Sequence, residues 1–551
     1  MNPLIAKILE DRGITGADLE HFLHPTLDQL PKPEELPGVV DAANVILAAY
    51  TAQKEIVVFG DYDCDGVCAT AILSRALRAI GCTVGEFLPD RRTEGYGMSD
   101  ASVARLLKEF PDVGLVVTVD NGVNSISQTW GLKQRGISVV VTDHHLPTRL
   151  AAKPGEEGKL VLPASDALVN PKVAAPDALQ SLCGAGVAFL LANRIVSEAK
   201  RRGLYDGPNI GGPLLVMAGL ASVTDVMPLL GVNRILVSEA LKRFFASAPT
   251  GLKELYARAA RTGGGELTTR DFGFMLGPRI NAAGRLASGL EALELLLTDD
   301  REITRELARI IDGYNVERKQ VEQAMVDAAM EKLVPDAPAQ VIDLPKGHPG
   351  VAGIVAARVM EKLGETVPVC VYAGGHGSAR APEGINIREA FVACAPALER
   401  YGGHAAAGGF SVKEGMIDDF RQRLCDYCRK IGRGSSAGLS VNEPDLWVEM
   451  NDLTLELAEE LKVLEPFGEC NAEPVFGLKG VFFSEVRPLG SDGRHLSVAL
   501  QKSGLRAIWW NRGDLVDSLR AESASPHDLT FTVTSSDYGD RHVELRLVSI
   551  K

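Results

Sequence analysis

The chain contains no run of about 18 or more consecutive apolar residues, so no membrane-spanning helix is expected. Its first residues, MNPLIAKILEDRGITG, carry acids early and have no apolar signal core; the cytoplasm is the expected compartment. Cysteine is sparse, odd in number at nine and scattered, which excludes a disulfide framework and predicts reduced thiols. Cys425 and Cys428 form a lone CxxC in a helical stretch. No second ligand pair accompanies them, and two thiols one helical turn apart arise easily without a metal. Positive charge is in deficit: 58 Lys and Arg stand against 72 Asp and Glu, for a net charge of −14. That balance argues against general affinity for nucleic acid but leaves room for a local basic channel. Part of the acidic excess could be carboxylates neutralised by metal. No internal repeat or low-complexity tract is evident.

A single core rarely grows beyond about 250–300 residues, so 551 residues predict two or three domains. Residues 1–38 read as a helical lead-in that ends in the Pro-rich PKPEELPG. From 39 to 300 helices alternate with strands such as EIVVFG, VGLVVTVD and ISVVVTDHH. These continuous apolar runs suit a parallel sheet with both faces covered. A long helix is expected over 301–334, stopped by Pro335 and Pro338, and a smaller α/β unit over 335–432. IGRGSSAGLS (431–440) reads as a linker. Beyond it, over 437–551, period-two strands LSVAL, LRAIWW, LTFTV and HVELRLVSI predict a terminal β-barrel, with SDYGD as the turn between the last two. Trp509 and Trp510 alternate faces, so at most one is expected to face a ligand. The fold class is therefore α/β with an appended OB-like barrel.

Acidic and imidazole residues gather where those strands end. VVFGDYDCDG places Asp61, Asp63 and Asp65 two residues apart after an apolar run, and like charges so close repel unless a cation lies between them. VVTVDNG ends in Asp120, VVVTDHH in Asp143, His144 and His145, and SVTDVMP holds Asp225 after a helix. In doubly wound sheets ligands bind outside the carboxyl ends of the strands. If the first three features sit on neighbouring strands, they converge on one rim. Oxygen ligands with one imidazole suit Mn²⁺ or Mg²⁺ better than zinc. The carboxylates suffice for two ions, an arrangement that clamps in-line attack on phosphorus.

GDYDCDG, VDNG, DHH and TDVMP, in this order, resemble the four motifs of the DHH phosphoesterase superfamily. The GDYD form, together with PDRRTEGYG, LGPRINAAGRL, KGHPGVAGIVAARV, GSARAP and GGHAAAGGF, resembles the RecJ branch of single-stranded-DNA exonucleases over most of the chain. The resemblance implies a DHH domain and a DHHA1-like domain. It also implies 5′→3′ hydrolysis of single-stranded DNA to mononucleotides in repair and recombination.

By the same resemblance Asp63 and Asp65 each ligate one ion and Asp120 bridges both. His144 and Asp225 complete the second site, and Asp61 is a ligand or an orienter. His145 faces the scissile phosphate, and Asp143 orients an imidazole. His404, among Gly402, Gly403, Gly408 and Gly409, grips the scissile phosphate or leaving group. Arg91, Arg279, Asn281, Ser378 and Arg380 contact phosphates, the last two at the 5′ end. From the residues alone, YGGHAAAGGF reads equally as a helix-start turn. Single-strand-binding protein and a RecQ-type helicase are the partners the family implies, and a monomer is expected. Competing expectations are a phosphodiesterase for short oligonucleotides or cyclic dinucleotides, and an inactive DNA-binding scaffold.

Overall fold

The computed structural model describes residues 1–91, 93–95, 97–150, 158–260, 266–432, 443–536 and 541–551. The chain divides into two compact units. One comprises 31–227 with 239–438; the other comprises 1–30, 228–238 and 439–551.

The larger unit begins with a five-stranded, all-parallel sheet. Its strands are β1 (Glu55–Phe59), β2 (Val84–Phe87), β3 (Val113–Thr118), β4 (Ser138–Thr142) and β5 (Ala167–Val169), in the order β2-β1-β3-β4-β5. Ile56, Val57, Val58 and Phe59 are fully buried, as are Val116, Val117, Val139, Val140 and Val141. Burying such a side chain contributes about 1.5–3 kcal/mol, so the runs without polar alternation seek the centre of a two-faced sheet. The order makes β1, β3 and β4 immediate neighbours, and their carboxyl ends deliver Asp61–Asp65, Asp120 and Asp143–His145 to one rim.

The helix Arg301–Met330 follows, capped by Asp300, whose carboxylate accepts from the amides of Glu302 and Ile303. It leads into a mixed sheet of β6 (Gln340–Leu344), β7 (Val369–Ala373), β8 (His376–Arg380), β9 (Leu398–Gly403) and β10 (Ala407–Val412). The order is β6-β7-β8-β10-β9, with only β6 and β7 parallel. Cys370, Cys394, Cys425 and Cys428 are buried together in the apolar core of this sheet, and all nine cysteines are free thiols. Burial pushes the Cys428 thiol up to about 11. Among the described residues, the groups spaced to hold a metal ion include no cysteine.

The other unit holds a mixed sheet of β11 (Leu446–Trp447), β12 (Phe476–Val481), β13 (Phe483–Leu489), β14 (His495–Leu500), β15 (Arg506–Trp509), β16 (His527–Ser536) and β17 (His542–Ile550), ordered β11-β12-β16-β17-β15-β14-β13. Trp509 packs on its core, while Trp510 is exposed. The linker expected at 431–440 lies mostly outside the described residues, and the turn expected at 536–540 lies there except for Ser536. The first residues are not a separate lead-in. Ile5, Ile8 and Leu9 of the helix Pro3–Asp11, and Phe22 of the helix Ala17–Leu23, complete the core formed by Leu457, Phe476, Leu529 and Phe531.

Arg234 ties this unit together. It is 1% exposed; its Nε donates to the Phe22 carbonyl (2.8 Å), Nη1 to Leu464 (3.2 Å) and Nη2 to Glu465 (2.7 Å), with the guanidinium carbon 3.6 Å from the Phe22 ring centre. An unsatisfied buried carbonyl costs about 1–3 kcal/mol. Arg234→Met is therefore expected to destabilise this unit by roughly 3 kcal/mol or more, measured by urea unfolding followed through tryptophan fluorescence. A change below about 0.5 kcal/mol, the range of ordinary surface substitutions, would deny the residue this role.

Candidate functional site

The turn after β1 builds the first wall. Asp63 caps the helix Cys64–Ala79 by accepting from the Gly66 amide at 3.0 Å. Asp65, in the first turn of that helix, accepts from the amides of Gly184 (2.7 Å) and Ala185 (2.8 Å), where the helix Gly184–Arg201 begins. Any side chain at Gly184 would put its Cβ 2.5 Å from that of Asp120, and one at Gly66 would meet Asp61 at 2.7 Å. These glycines let backbone and carboxylates approach closely. Asp120 itself has φ +62°, a left-handed conformation that aspartate tolerates better than most residues.

The carboxylates and imidazoles form three overlapping triads, one of them Asp120, His144 and His145. Asp61, Asp63 and Asp120 offer oxygens within 4.8 Å of one another, and so do the ligand atoms of Asp65, His144 and Asp225. The triads meet where His144 Nε2 lies 3.0 Å from Asp120 Oδ1; the same nitrogen is 3.6 Å from Asp65 Oδ2 and 3.7 Å from Asp225 Oδ2. Asp225 arrives from the carboxyl end of the helix Gly211–Thr224. Both Asp61 oxygens and Asp225 Oδ2 are buried without a hydrogen-bond partner. Orphaned acceptors so close to other carboxylates are what a divalent cation satisfies, so the residues present fit a pair of Mn²⁺ or Mg²⁺ ions.

The electrostatics agree. Burial, then the charges of Asp65, Asp63 and Asp61, push the Asp120 carboxyl well above its usual range, and burial, then Asp63, does the same for Asp61. Asp225 is raised to about 8, by burial first and then by Asp65. Burial holds His144 below the ordinary imidazole value, which suits a neutral ligand. His145 behaves oppositely. Burial pulls it down, but its Nδ1 lies 2.7 Å from Asp143 Oδ1, and the bond and charge of that carboxylate raise it to about 9. Asp143 is pinned in turn by the amides of Val123, His144 and His145.

His145 stands where two cavities join. One, of about 640 Å³, is lined by Tyr62, Arg91, Ser378 and the β9–β10 hairpin; the other, of about 1220 Å³, runs past Asn124, Leu146, Arg149 and Arg388. His145, Tyr401, Gly402, Gly403 and His404 line both. YGGHAAAGGF is thus a β-hairpin with exposed His404 beyond the end of β9, and not the start of a helix. Gly402 and Gly409 pair across it; neither has positive φ, and a Cβ at either would meet no protein atom closer than 3.8 Å. Their bareness therefore leaves room in the cavity they line.

Two expected phosphate contacts have other work. Arg279 pairs with Asp312 (2.9 Å), donates to the Met275 carbonyl, and lines neither cavity. Asn281 accepts from the Cys64 amide at 2.8 Å and so braces the carboxylate turn. Arg285, four residues on, is the group sequence reasoning missed. Half-buried, it feels the charges of Arg91 and Asp63 and donates to the Gly350 carbonyl. Burial and then Arg91 lower Arg380, so Arg91, Arg285 and Arg380 form one cationic neighbourhood.

With this geometry in view, the likeness to known proteins is informative. The DHH family N-terminal domain matches residues 55–209, the DHHA1 domain 336–430 and the RecJ OB domain 444–549. The single-stranded-DNA-specific exonuclease RecJ of Thermus thermophilus is 37% identical over 531 residues, covering 94% of this chain and 72% of that protein. The chain belongs to the RecJ family. The Escherichia coli RecJ is 33% identical, with 91% of this chain and 87% of the relative covered. The Bacillus subtilis RecJ is 31% identical, and this chain spans 64% of its length. The crystal structure of Thermus thermophilus RecJ with Mn²⁺ matches all of this chain and 76% of its own, with a TM-score of 0.82 and 32% identity; the Mg²⁺ complex gives 0.78 and 31%.

The metal-free site has a definite pH signature. Asp61, Asp63, Asp120 and Asp225 have folded pKa values above the roughly 4 of an unfolded aspartate. Such groups contribute stability that is fully present below the unfolded value and lost as pH rises through the folded one, about 8 for Asp225. Calorimetry is therefore expected to show the chelated protein melting lower at about pH 8 than at about pH 6. The rise in Tm on adding Mn²⁺ is expected to be larger at the higher pH. A manganese effect independent of pH would contradict this.

Proposed function

We propose that the chain is a metal-dependent exonuclease that hydrolyses single-stranded DNA from the 5′ end to mononucleotides. The observation that carries this reading is the placement of the metal-ligand triads beside His145, where a cavity lined by Arg91 and Ser378 joins a larger one of about 1220 Å³.

Asp61, Asp63 and Asp120 would hold one ion, and Asp65, His144 and Asp225 the other, with Asp120 shared. Bound Mn²⁺ or Mg²⁺ supplies Lewis acidity and makes water a competent nucleophile at neutral pH. The chain's own groups do the rest. His145, protonated near neutrality and held by Asp143, directs its other N–H at a non-bridging oxygen of the scissile phosphate. His404 approaches from the hairpin beside the bare backbone of Gly402. Ser378 and Arg91 receive the terminal 5′-phosphate, with Arg380 adding positive charge behind them. A terminal anchor a short distance from the metals makes cleavage exonucleolytic. On the family resemblance we also assign the protein to DNA repair and recombination; we further propose that it acts as a monomer in the cytoplasm. Single-strand-binding protein and a RecQ-type helicase are its proposed partners.

Incubation with 5′-phosphorylated single strands in Mn²⁺ is expected to release mononucleotides stepwise, with none from duplex or in EDTA. Cleavage of cyclic dinucleotides but not of long strands would overturn the reading. Asp120→Asn is expected to lower turnover by roughly a thousandfold or more while strand binding stays measurable. Near-normal turnover would remove Asp120 as the shared ligand.

A further inference from the structure

Arg91 reaches the phosphate cavity from an unusual support. The segment Leu88–Arg91, continuing through Thr93–Gly95, leaves β2 and spans a second cavity of about 240 Å³, lined by Tyr62, Leu88, Arg91, Glu94, Arg105 and Ser288. Leu88 and Pro89 are buried, but Asp90 and Arg91 are only half-buried. The charges of Arg285 and Arg380 act against that of Arg91, while Asp61 attracts it. Its guanidinium lies 5.2 Å from the Tyr62 ring centre, a cation–π contact that is weak by itself.

The restraint comes from Glu94, whose side chain is 8% exposed. Its carboxylate accepts from Arg105 in a fork, Nε to Oε1 at 2.8 Å and Nη2 to Oε2 at 3.0 Å, and Oε2 also accepts from the Asp90 amide at 2.8 Å. The Glu94 amide donates back to the Asp90 carbonyl at 2.8 Å, so Glu94 is tied twice to the residue before Arg91. Arg105 is itself fixed. It donates to the Leu88 carbonyl at 2.7 Å and lies 4.0 Å over the Phe87 ring, which stacks on Phe59 of β1. A bidentate, partly desolvated pair of this kind is geometrically exacting, unlike an ordinary surface ion pair.

We infer that the Glu94–Arg105 pair is a positioning clamp that holds Arg91 against the terminal 5′-phosphate of the strand. The inference rests on the terminal-phosphate reading above. Neither clamp residue touches the reacting atoms; Glu94 acts through Arg91.

The test is steady-state kinetics on matched 5′-phosphorylated and 5′-hydroxyl single strands for the wild type, Arg91→Ala, Glu94→Ala, Glu94→Gln and the Arg91→Ala/Glu94→Ala double variant. Glu94→Ala is expected to raise KM for the phosphorylated strand about tenfold, with kcat within about twofold and the hydroxyl strand unaffected. Glu94→Gln, which keeps an acceptor for the Asp90 amide, should recover part of that loss. The double variant should be no worse than Arg91→Ala, because two residues acting as one unit are not additive. Equal losses on both strands, or full additivity, would overturn the clamp. If Arg91→Ala leaves the phosphate preference intact, the terminal-phosphate reading fails instead, and the clamp loses its purpose with it. Should Glu94→Ala not fold, Arg105→Lys, which keeps the charge and loses the fork, is judged by the same criteria.

Discussion

Asp61, Asp63, Asp65, Asp120 and Asp225 cannot all be charged in so small a volume without a compensating cation. Two like charges 4 Å apart repel by about 4 kcal/mol at an effective dielectric of 20, and here Asp120 feels the charges of Asp65, Asp63, Asp61 and Asp225. The imidazoles cannot neutralise them. His144 is held neutral by burial, and the proton of His145 is committed to Asp143. The protein folds with acceptors lacking donors and with pKa values displaced upward, a condition that divalent ions relieve. Chemistry on a phosphodiester then uses the same ions that make the fold comfortable.

The surrounding architecture serves that constraint at short range. A parallel sheet places three loops on one rim because β1, β3 and β4 are adjacent. Gly66 and Gly184 remove the side chains that would separate those loops, and the left-handed backbone at Asp120 turns its carboxylate into the space between them. Across the cleft the method is the reverse. Gly402 and Gly409 of the β9–β10 hairpin crowd nothing in the protein; they leave bare backbone facing a cavity. One wall is dense with charge, and the other is open to an anion.

Much of this was legible from local pattern. An apolar run ending in GDYDCDG or DHH reports both the strand and what lies at its tip, because burial and strand termination are local facts. Long-range partners were not legible. Arg279 and Arg285 look alike six residues apart, yet the helix Gly277–Leu286 sends one to Asp312 and the other to the neighbourhood of Asp63 and Arg91. Asn281 gives no sign in the sequence that its Oδ1 accepts from the Cys64 amide and braces the carboxylate turn. Nothing in residues 1–30 announces that their apolar face completes a core formed more than 400 positions later, since amphipathic periodicity states that a face is buried and not against what. YGGHAAAGGF was ambiguous because glycine permits hairpin and helix-start turn alike. Strand pairing with β8 decides it.

The central claim is that the carboxylate cluster exists to hold two divalent cations. Anomalous diffraction at the manganese edge, from crystals equilibrated with Mn²⁺, tests it most directly. Two peaks are expected, one among Asp61, Asp63 and Asp120 and one among Asp65, His144 and Asp225. A map with no peak in that cluster, or with manganese bound only elsewhere on the molecule, would contradict the account.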